Sequence, residues 1–325
     1  MTLPCFSIII ETENLSSAEL EGLSRCLDTL ANQDVSPTTA NEVLIVESGD
    51  VPVDVIERLR RDYPWLTFRR AEPGIDYYAA KMQGVGFTTG DVIVFCDSDC
   101  TYRSDWLRNL LTPFAENQDI QVVAGETTTP ILNPYELAIA LTYIFPRFSH
   151  LSFLQPSSNY FCNNVAFRRD FLLKYPIPTQ LPIYRGNCVV HARSLKTQGY
   201  TIWKQPQSQA THAVPNGLSH FFWRFLLLGY DAIAVCRLSY DAHQSQLIQD
   251  LRACLRLSWN KATEFASRVY TVFAEDWRRI VYLPLALPIA LAALVLYFTG
   301  LILGWVKPNA FLNAGDKVEV SWEQS

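Results

Sequence analysis

The chain has 325 residues, 49% apolar and 13% aromatic, with a net charge of −5 and a pI near 5.6. That is enough apolar material for one large domain or two small ones, and the acidic balance excludes a general nucleic-acid binder, which needs a basic surface. Eight cysteines are scattered without a CxxC pair, several of them inside apolar runs, which argues for buried thiols in a reducing compartment rather than a disulfide framework or zinc site.

In chain order, residues 6–10 read as a first buried strand, too short for a secretory h-region and without basic residues before it. A helix over 16–31 follows, with Leu20, Leu23, Leu27 and Leu30 on one face. Residues 42–46 are the next buried strand and 54–62 a short helix stopped before Pro64. A weak strand over 66–69 and a helix over 77–87, weakened by Gly84 and Gly86, lead to a strong strand over 91–96. Such alternation predicts an α/β fold with a largely parallel sheet and right-handed crossovers. Further on, helices are expected over 106–116, 135–145, 170–174 and 189–198, the last closed by Gly199, and strands over 121–126, 164–167 and 200–204. Residues 218–230 are rich in Phe, Trp and Leu, as interfacial helices and core helices both are. Residues 244–279 read as two amphipathic helices.

The strand over 91–96 ends in Asp97, Ser98 and Asp99. Open α/β sheets bind ligands at the C-terminal edges of their strands. Two carboxylates two residues apart on a loop can turn toward one hard cation, Mg2+ or Mn2+, with substrate phosphates completing its shell. The plain alternative is a pair of capping acids leading into the helix at Trp106.

Residues 280–306 form a run of 27 without a charge, bounded by Arg278 and Arg279 before and Lys307 after. At about 1.5 Å per residue this exceeds the roughly 30 Å hydrocarbon core, so it reads as a single transmembrane helix. Pro284 and Pro288 place its regular start near Leu285; a re-entrant segment broken at the prolines and a buried soluble helix are the alternatives. Arg268, Arg278 and Arg279 ahead of the run place the large N-terminal part in the cytoplasm by the positive-inside tendency.

Taken in order, residues 6–14, 42–50, 74–91, the Asp97-Ser98-Asp99 loop and residues 163–169 resemble the family 2 glycosyltransferases over roughly residues 5–230. The resemblance implies a GT-A fold, a mixed, largely parallel sheet flanked by helices, over a catalytic domain of residues 1–235. An amphipathic juxtamembrane region would occupy 236–279, the membrane helix 280–306 and a polar tail 307–325. It also implies a membrane-bound enzyme that moves a sugar from a UDP- or GDP-linked donor to a lipid-phosphate or saccharide acceptor, with inversion and with Mg2+ or Mn2+.

Residue by residue, the resemblance places Glu13 in the loop that touches the nucleotide and Glu47 where an acid reads the base. Lys81 stands where a cation meets the diphosphate, Asp97 where ribose and metal are contacted, and Asp99 where the metal is held. His212 completes the metal or diphosphate site or is an ordinary loop histidine, and Asn163 and Asn164 line the sugar and acceptor pocket. Arg168 and Arg169 are phosphate clamps or exposed charges.

One departure stands out. The acidic pair that supplies the family's general base falls on Asn187 and Cys188, and residues 171–230 hold no Asp or Glu at all. Three readings stay open: an already ionised phosphate acceptor that needs no base, His191 as the base, or a protein that binds nucleotide-sugar without turning it over. A nucleotidyltransferase would share the sheet and acidic loop, but no glycine-rich basic loop follows the first strand.

Overall fold

The structure, a computed structural model, describes residues 2–12, 20–47, 51–72, 75–240 and 243–311. The chain forms two compact units, one of Met1–Thr127, Phe148–Thr179 and Asn187–Ala213, the other of Thr128–Arg147, Gln180–Gly186 and Val214–Ser325. The cut at residue 235 drawn from sequence therefore differs from the structural units, because the helix before it belongs with the C-terminal helices.

In the first unit β1 (Phe6–Glu11), β2 (Glu42–Glu47), β3 (Leu66–Arg70) and β4 (Val92–Asp97) alternate with α1 (Leu20–Ala31), α2 (Val53–Asp62) and α3 (Tyr77–Gly86). These strands are parallel in the order β3-β2-β1-β4. The chain steps from β1 out to β3 and then crosses to the far side of β1. The C-terminal ends of β1 and β4 therefore form a switch point, where the loops part and leave a crevice; Glu11 and Asp97 are register partners there. The middles of β1 and β4 are apolar because both faces are covered: Ile8, Ile10, Val94 and Cys96 join one core, Ile9, Ile93 and Phe95 the other. Gly84 does not break α3. It lets the helix press onto the sheet, where a Cβ would lie 2.9 Å from Ile9 Cγ2.

Beyond β4 come β5 (Cys100–Tyr102), α4 (Trp106–Glu116), β6 (Val122–Thr128), β7 (Gln155–Ser157), β8 (Asn164–Arg168), α6 (Arg169–Lys174), α7 (Asn187–Thr197) and β9 (Ile202–His212). With α5 (Pro134–Thr142) between β6 and β7, these extend the sheet to nine strands, and β4–β8, β6–β8, β5–β9 and β7–β9 pair antiparallel. The strand expected over 200–204 runs on to His212. Its second half keeps a period of two, with Pro206, Ser208, Ala210 and His212 inward, but small and polar residues carry that period. β5 and β7, three residues each, also escaped the sequence reading.

One polar knot joins the antiparallel half. Asn164 accepts from Trp106 Nε1 (2.8 Å) and donates to the carbonyls of Glu126 (2.9 Å) and Ser208 (3.1 Å). Room for it comes from Gly125, whose Cβ would lie 2.3 Å from both Asn164 Oδ1 and Ser208 O. Gly125→Ala is therefore expected to lower stability by about 1–3 kcal/mol through overpacking. An unchanged urea midpoint would show that the knot yields freely.

The second unit holds α5, α8 (Gly217–Arg237), α9 (Gln246–Glu275), a 3-10 turn (Trp277–Tyr282) and α10 (Leu283–Val306). Three expectations change here. The helix expected over 135–145 stops at Thr142, where Lys261 Nζ donates to Thr142 O (2.6 Å) and Arg268 to Tyr143 O, so side-chain cations satisfy its last carbonyls. The two amphipathic helices are one helix of 30 residues, ended at Asp276, whose carboxylate caps the turn by accepting from Arg278 N (3.0 Å). α10 starts at Leu283 rather than 285, because Pro284 sits in the first turn, where its missing N–H costs nothing. Asp231, the first acid after the carboxylate-free stretch, accepts from the backbone N–H of Tyr184 (3.0 Å) and Arg185 (2.7 Å), and burial pushes its carboxyl up to about 7.

Candidate active site

The site lies at the switch point. Asp97 ends β4 and its carboxylate is gripped from below. Lys81 Nζ donates to Asp97 Oδ1 (2.7 Å) and to the carbonyls of Cys96 (2.6 Å) and Cys162 (3.2 Å), and Tyr77 Oη donates to the same carboxylate (2.7 Å). Burial by itself would push Asp97 up, but the Lys81 charge and the Lys81 and Tyr77 hydrogen bonds outweigh it and hold the carboxyl below its usual range. Burial would likewise pull Lys81 down, and the charge of Asp97 outweighs it, so the ammonium titrates above its ordinary value.

These contacts correct the reading of Lys81 as a diphosphate contact. Its side chain is fully buried, its three donors are taken, and it lies over the rings of Tyr77 and Phe95. It fixes Asp97 instead. Tyr77, which closes this arrangement, was not singled out from sequence; an aromatic with a polar tip one helical turn before a buried lysine is its only local signal.

Asp99 meets His212 across β5 and β9. Cys100 and His212 are register partners, and Ala213 N donates to Asp99 O (3.0 Å). His212 Nδ1 lies 2.6 Å from Ala213 O. A carbonyl only accepts, so Nδ1 carries the proton and the lone pair of a neutral ring belongs to Nε2. Nε2 faces Asp99 Oδ2 at 3.2 Å, so two electron-rich atoms meet and a shared cation, a proton or a metal ion, satisfies both. Among the described residues Asp99, Cys100 and His212 form the group able to hold a metal ion. Burial, then the charges of Asp99 and Asp97, push the Cys100 thiol well up, which leaves it a weak donor toward Asp99 (3.8 Å) rather than a thiolate ligand. Asp97 lies outside this group.

Glu47 ends β2 on the same sheet edge, buried and paired in register with Arg70. Glu13 lies outside the described residues. Asn163 Oδ1 accepts from Thr127 Oγ1 (3.0 Å), and its carbonyl accepts from Tyr102 Oη (2.9 Å). Asn164 does not line a pocket: its amide is used up in the knot under the sheet, a correction that follows from its complete burial. Arg168 is likewise no phosphate clamp, since its guanidinium donates to the carbonyls of Ile120 (3.0 Å) and Phe114 (3.0 Å).

His191 also changes role. Its Nε2 lies 2.9 Å from Tyr175 O and its Nδ1 2.6 Å from Tyr160 Oη. The carbonyl fixes the proton on Nε2, so the one lone pair, on Nδ1, accepts from the tyrosine. Burial pulls the ring from 6.5 to about 4, against the opposing bond to Tyr175 O. A sealed neutral imidazole with its lone pair engaged is no general base. His191→Ala is expected to cost about 2–4 kcal/mol, from the cavity and the orphaned Tyr160 hydroxyl, and to leave turnover of the folded protein near normal. Because the folded ring resists protonation, its contribution is present at neutral pH and lost as pH falls from 6.5 toward about 4. A fall in turnover of about 10²-fold or more at unchanged stability would restore the base.

At the start of α7, Asn187 Nδ2 donates to Pro178 O (2.7 Å) while its Oδ1 is buried without a hydrogen-bond partner. Tyr78 Oη donates to Cys188 Sγ (3.5 Å).

A parallel β3-β2-β1-β4 half, an acidic loop at its switch point and an antiparallel extension carrying a histidine back to that loop define a GT-A protein. Residues 7–175, just over half of the chain, match the model of glycosyl transferase family 2, and the chain belongs to that family. Over 108 residues it is 30% identical to glycosyltransferase AglE of Haloferax volcanii, covering 33% of this chain and 34% of that one; it thus spans about a third of that relative's length. Among solved structures, mannosyltransferase PcManGT from Pyrobaculum calidifontis, in complex with GDP-Man and Mn2+, matches with a TM-score of 0.59 at 17% identity, over 96% of this chain and 89% of that one. A crystal structure of GalNAc-T7 with UDP, GalNAc and Mn2+ matches with a TM-score of 0.53 at 13% identity, over 65% and 43%. At these identities the two structures speak for the fold.

Proposed function

We propose that the chain transfers a sugar from a nucleotide-diphosphate donor, UDP- or GDP-linked, to an acceptor held at a membrane, with inversion at the anomeric carbon and with a divalent cation. The observation that carries this reading is the Asp99–His212 pair beside the locked Asp97 carboxylate, at the sheet edge of a family 2 chain. A bound cation would neutralise charge on the departing nucleoside diphosphate as a Lewis acid. Asp99 and His212 would hold it, and an imidazole in the set favours Mn2+ over Mg2+. Asp97, kept ionised and immobile by Lys81 and Tyr77, orients the donor ribose. Glu47 reads the base and Asn163 faces the sugar side; Glu13 is carried as a nucleotide contact on resemblance alone.

The acceptor follows from what is missing. With His191 sealed and no acid from 171 to 230, an acceptor already anionic at neutral pH, a lipid phosphate, needs no proton removed. A saccharide hydroxyl would need a base. The second reading, a nucleotide-sugar-binding protein without turnover, draws on that same absence. Release of UDP or GDP from a panel of nucleotide-sugars, with Mn2+ and with or without membrane lipid extract, tests all three. Release that requires lipid phosphate supports the proposal; donor binding without release under any acceptor supports the second reading.

A further inference from the structure

The 24 residues of α10 carry no charge, and an 18-residue window within Trp277–Val306 has a mean hydropathy of 2.3. Length alone would let this helix cross a bilayer. The second unit, however, clads one side of it from end to end. At its start, Tyr282 Oη donates to Leu132 O (3.1 Å), and Ala286 and Ala290 pack against Leu137 and Leu141 of α5 and Val272 of α9. In the middle, α8 lies backbone to backbone with it: a Cβ on Gly229 would fall 1.8 Å from Tyr297 O, and one on Gly300 1.9 Å from Leu226 O. At its end, Leu301 packs with Ile233 and Ala253, and Arg237 caps it through Gly304 O (2.7 Å) and Trp305 O (2.9 Å) while pairing with Asp250 (2.8 Å). α9 therefore runs antiparallel from one end of α10 to the other, and α8 packs along its second half.

This cladding cannot enter hydrocarbon. Were α10 to cross, α9 would carry Lys261, Glu264 and Arg268 into the bilayer together with the last carbonyls of α5 that Lys261 and Arg268 satisfy. Exposed Arg252 and Arg256 would enter with them, as would the non-helical backbone on either side of α5. Charges and irregular backbone are what a bilayer core rejects. The other side of α10 is bare. Leu291, Val295, Ile302 and Val306 are exposed, and with Pro284, Pro288 and Thr299 they recur every three or four residues as one stripe down the full length.

We propose that α10 lies in the plane of one leaflet, its bare stripe sunk about 5–10 Å into a phospholipid surface, and that the chain does not cross the membrane. The flanks suit the headgroup layer. Trp259 and Trp277 are exposed, and Arg252, Arg256 and Arg278 offer charge to anionic lipid. The arginine excess that suggested a crossing orientation is largely consumed by the fold, since Arg268 caps α5 and Arg279 pairs with Glu275 (2.8 Å). This inference rests on the second unit alone and stands or falls apart from sugar transfer.

The test uses the full chain with one epitope at each terminus, bound to preformed phosphatidylcholine–phosphatidylglycerol vesicles. Flotation with the vesicles and complete loss of both epitopes to external protease, without detergent, are expected. A C-terminal epitope protected until the vesicles are permeabilised would overturn the proposal, and so would failure to float. Leu291→Glu with Val295→Glu, both on the exposed stripe, should lower the floated fraction at least about tenfold while leaving helix content unchanged. Undiminished flotation of that variant would place the lipid contact elsewhere and reject this one.

Discussion

Replacing Lys81 with methionine is expected to lower the free energy of unfolding by about 3–5 kcal/mol, because one partner of a buried ion pair is removed and the other stays charged. The methionine keeps the stem but strips three donors, so Asp97 Oδ1 and the carbonyls of Cys96 and Cys162 lose their partner at once. Lys81→Arg should not rescue it, since a planar fork cannot take the place of a compact ammonium among three oxygens. Denaturant titration measures the loss, and the double variant with Asp97→Asn should recover part of it, because the uncompensated charge is then gone. A wild-type midpoint for Lys81→Met, together with weakened donor binding, would return the lysine to the diphosphate.

Asp99→Ala is expected to reduce turnover by about 10²- to 10³-fold, the several kcal/mol that a bound cation contributes to a departing diphosphate. Metal-supported donor binding should fall at least about tenfold, or 1.4 kcal/mol. His212→Ala should produce a similar loss, and the two together little more than either alone, because both face one cation site. Calorimetry of UDP or GDP with and without Mn2+ reads the binding term independently of any acceptor. Donor affinity indifferent to Mn2+ and to both substitutions would remove the metal from the site.

The two variants separate two jobs that the acidic loop performs. Asp97 faces inward to a lysine, and its charge belongs to the architecture as much as to the donor. Asp99 faces His212, with the weak Cys100 thiol donor beside it, and in the proposed reaction this pair would hold the cation. A spacing of two residues turns the two carboxylates to different partners.

Much of the first unit was legible in the chain itself. Uninterrupted apolar runs at 6–10, 42–46 and 91–96 and leucines at helical spacing at 20, 23, 27 and 30 are local signals, and they follow from burial on both faces of a sheet and one face of a helix. The position of the acidic loop at a strand's C-terminal edge was legible for the same reason. Tertiary structure alone decided which carboxylate meets which cation. Lys81 has the sequence neighbourhood of a surface lysine on a helix, and only the packing of α3 on β1 and β2, which brings its ammonium to the end of β4, seals it. His191 and Asn164 look available until Tyr160, Tyr175, Trp106 and Ser208 arrive from distant segments to occupy them. His212 meets Asp99 only because β9 runs on for eight residues beyond the stretch expected to end at residue 204. In α10 the apolar composition marked a membrane segment. Whether such a helix crosses or lies flat depends on the charges its neighbours hold against it, and those neighbours are brought there by the fold.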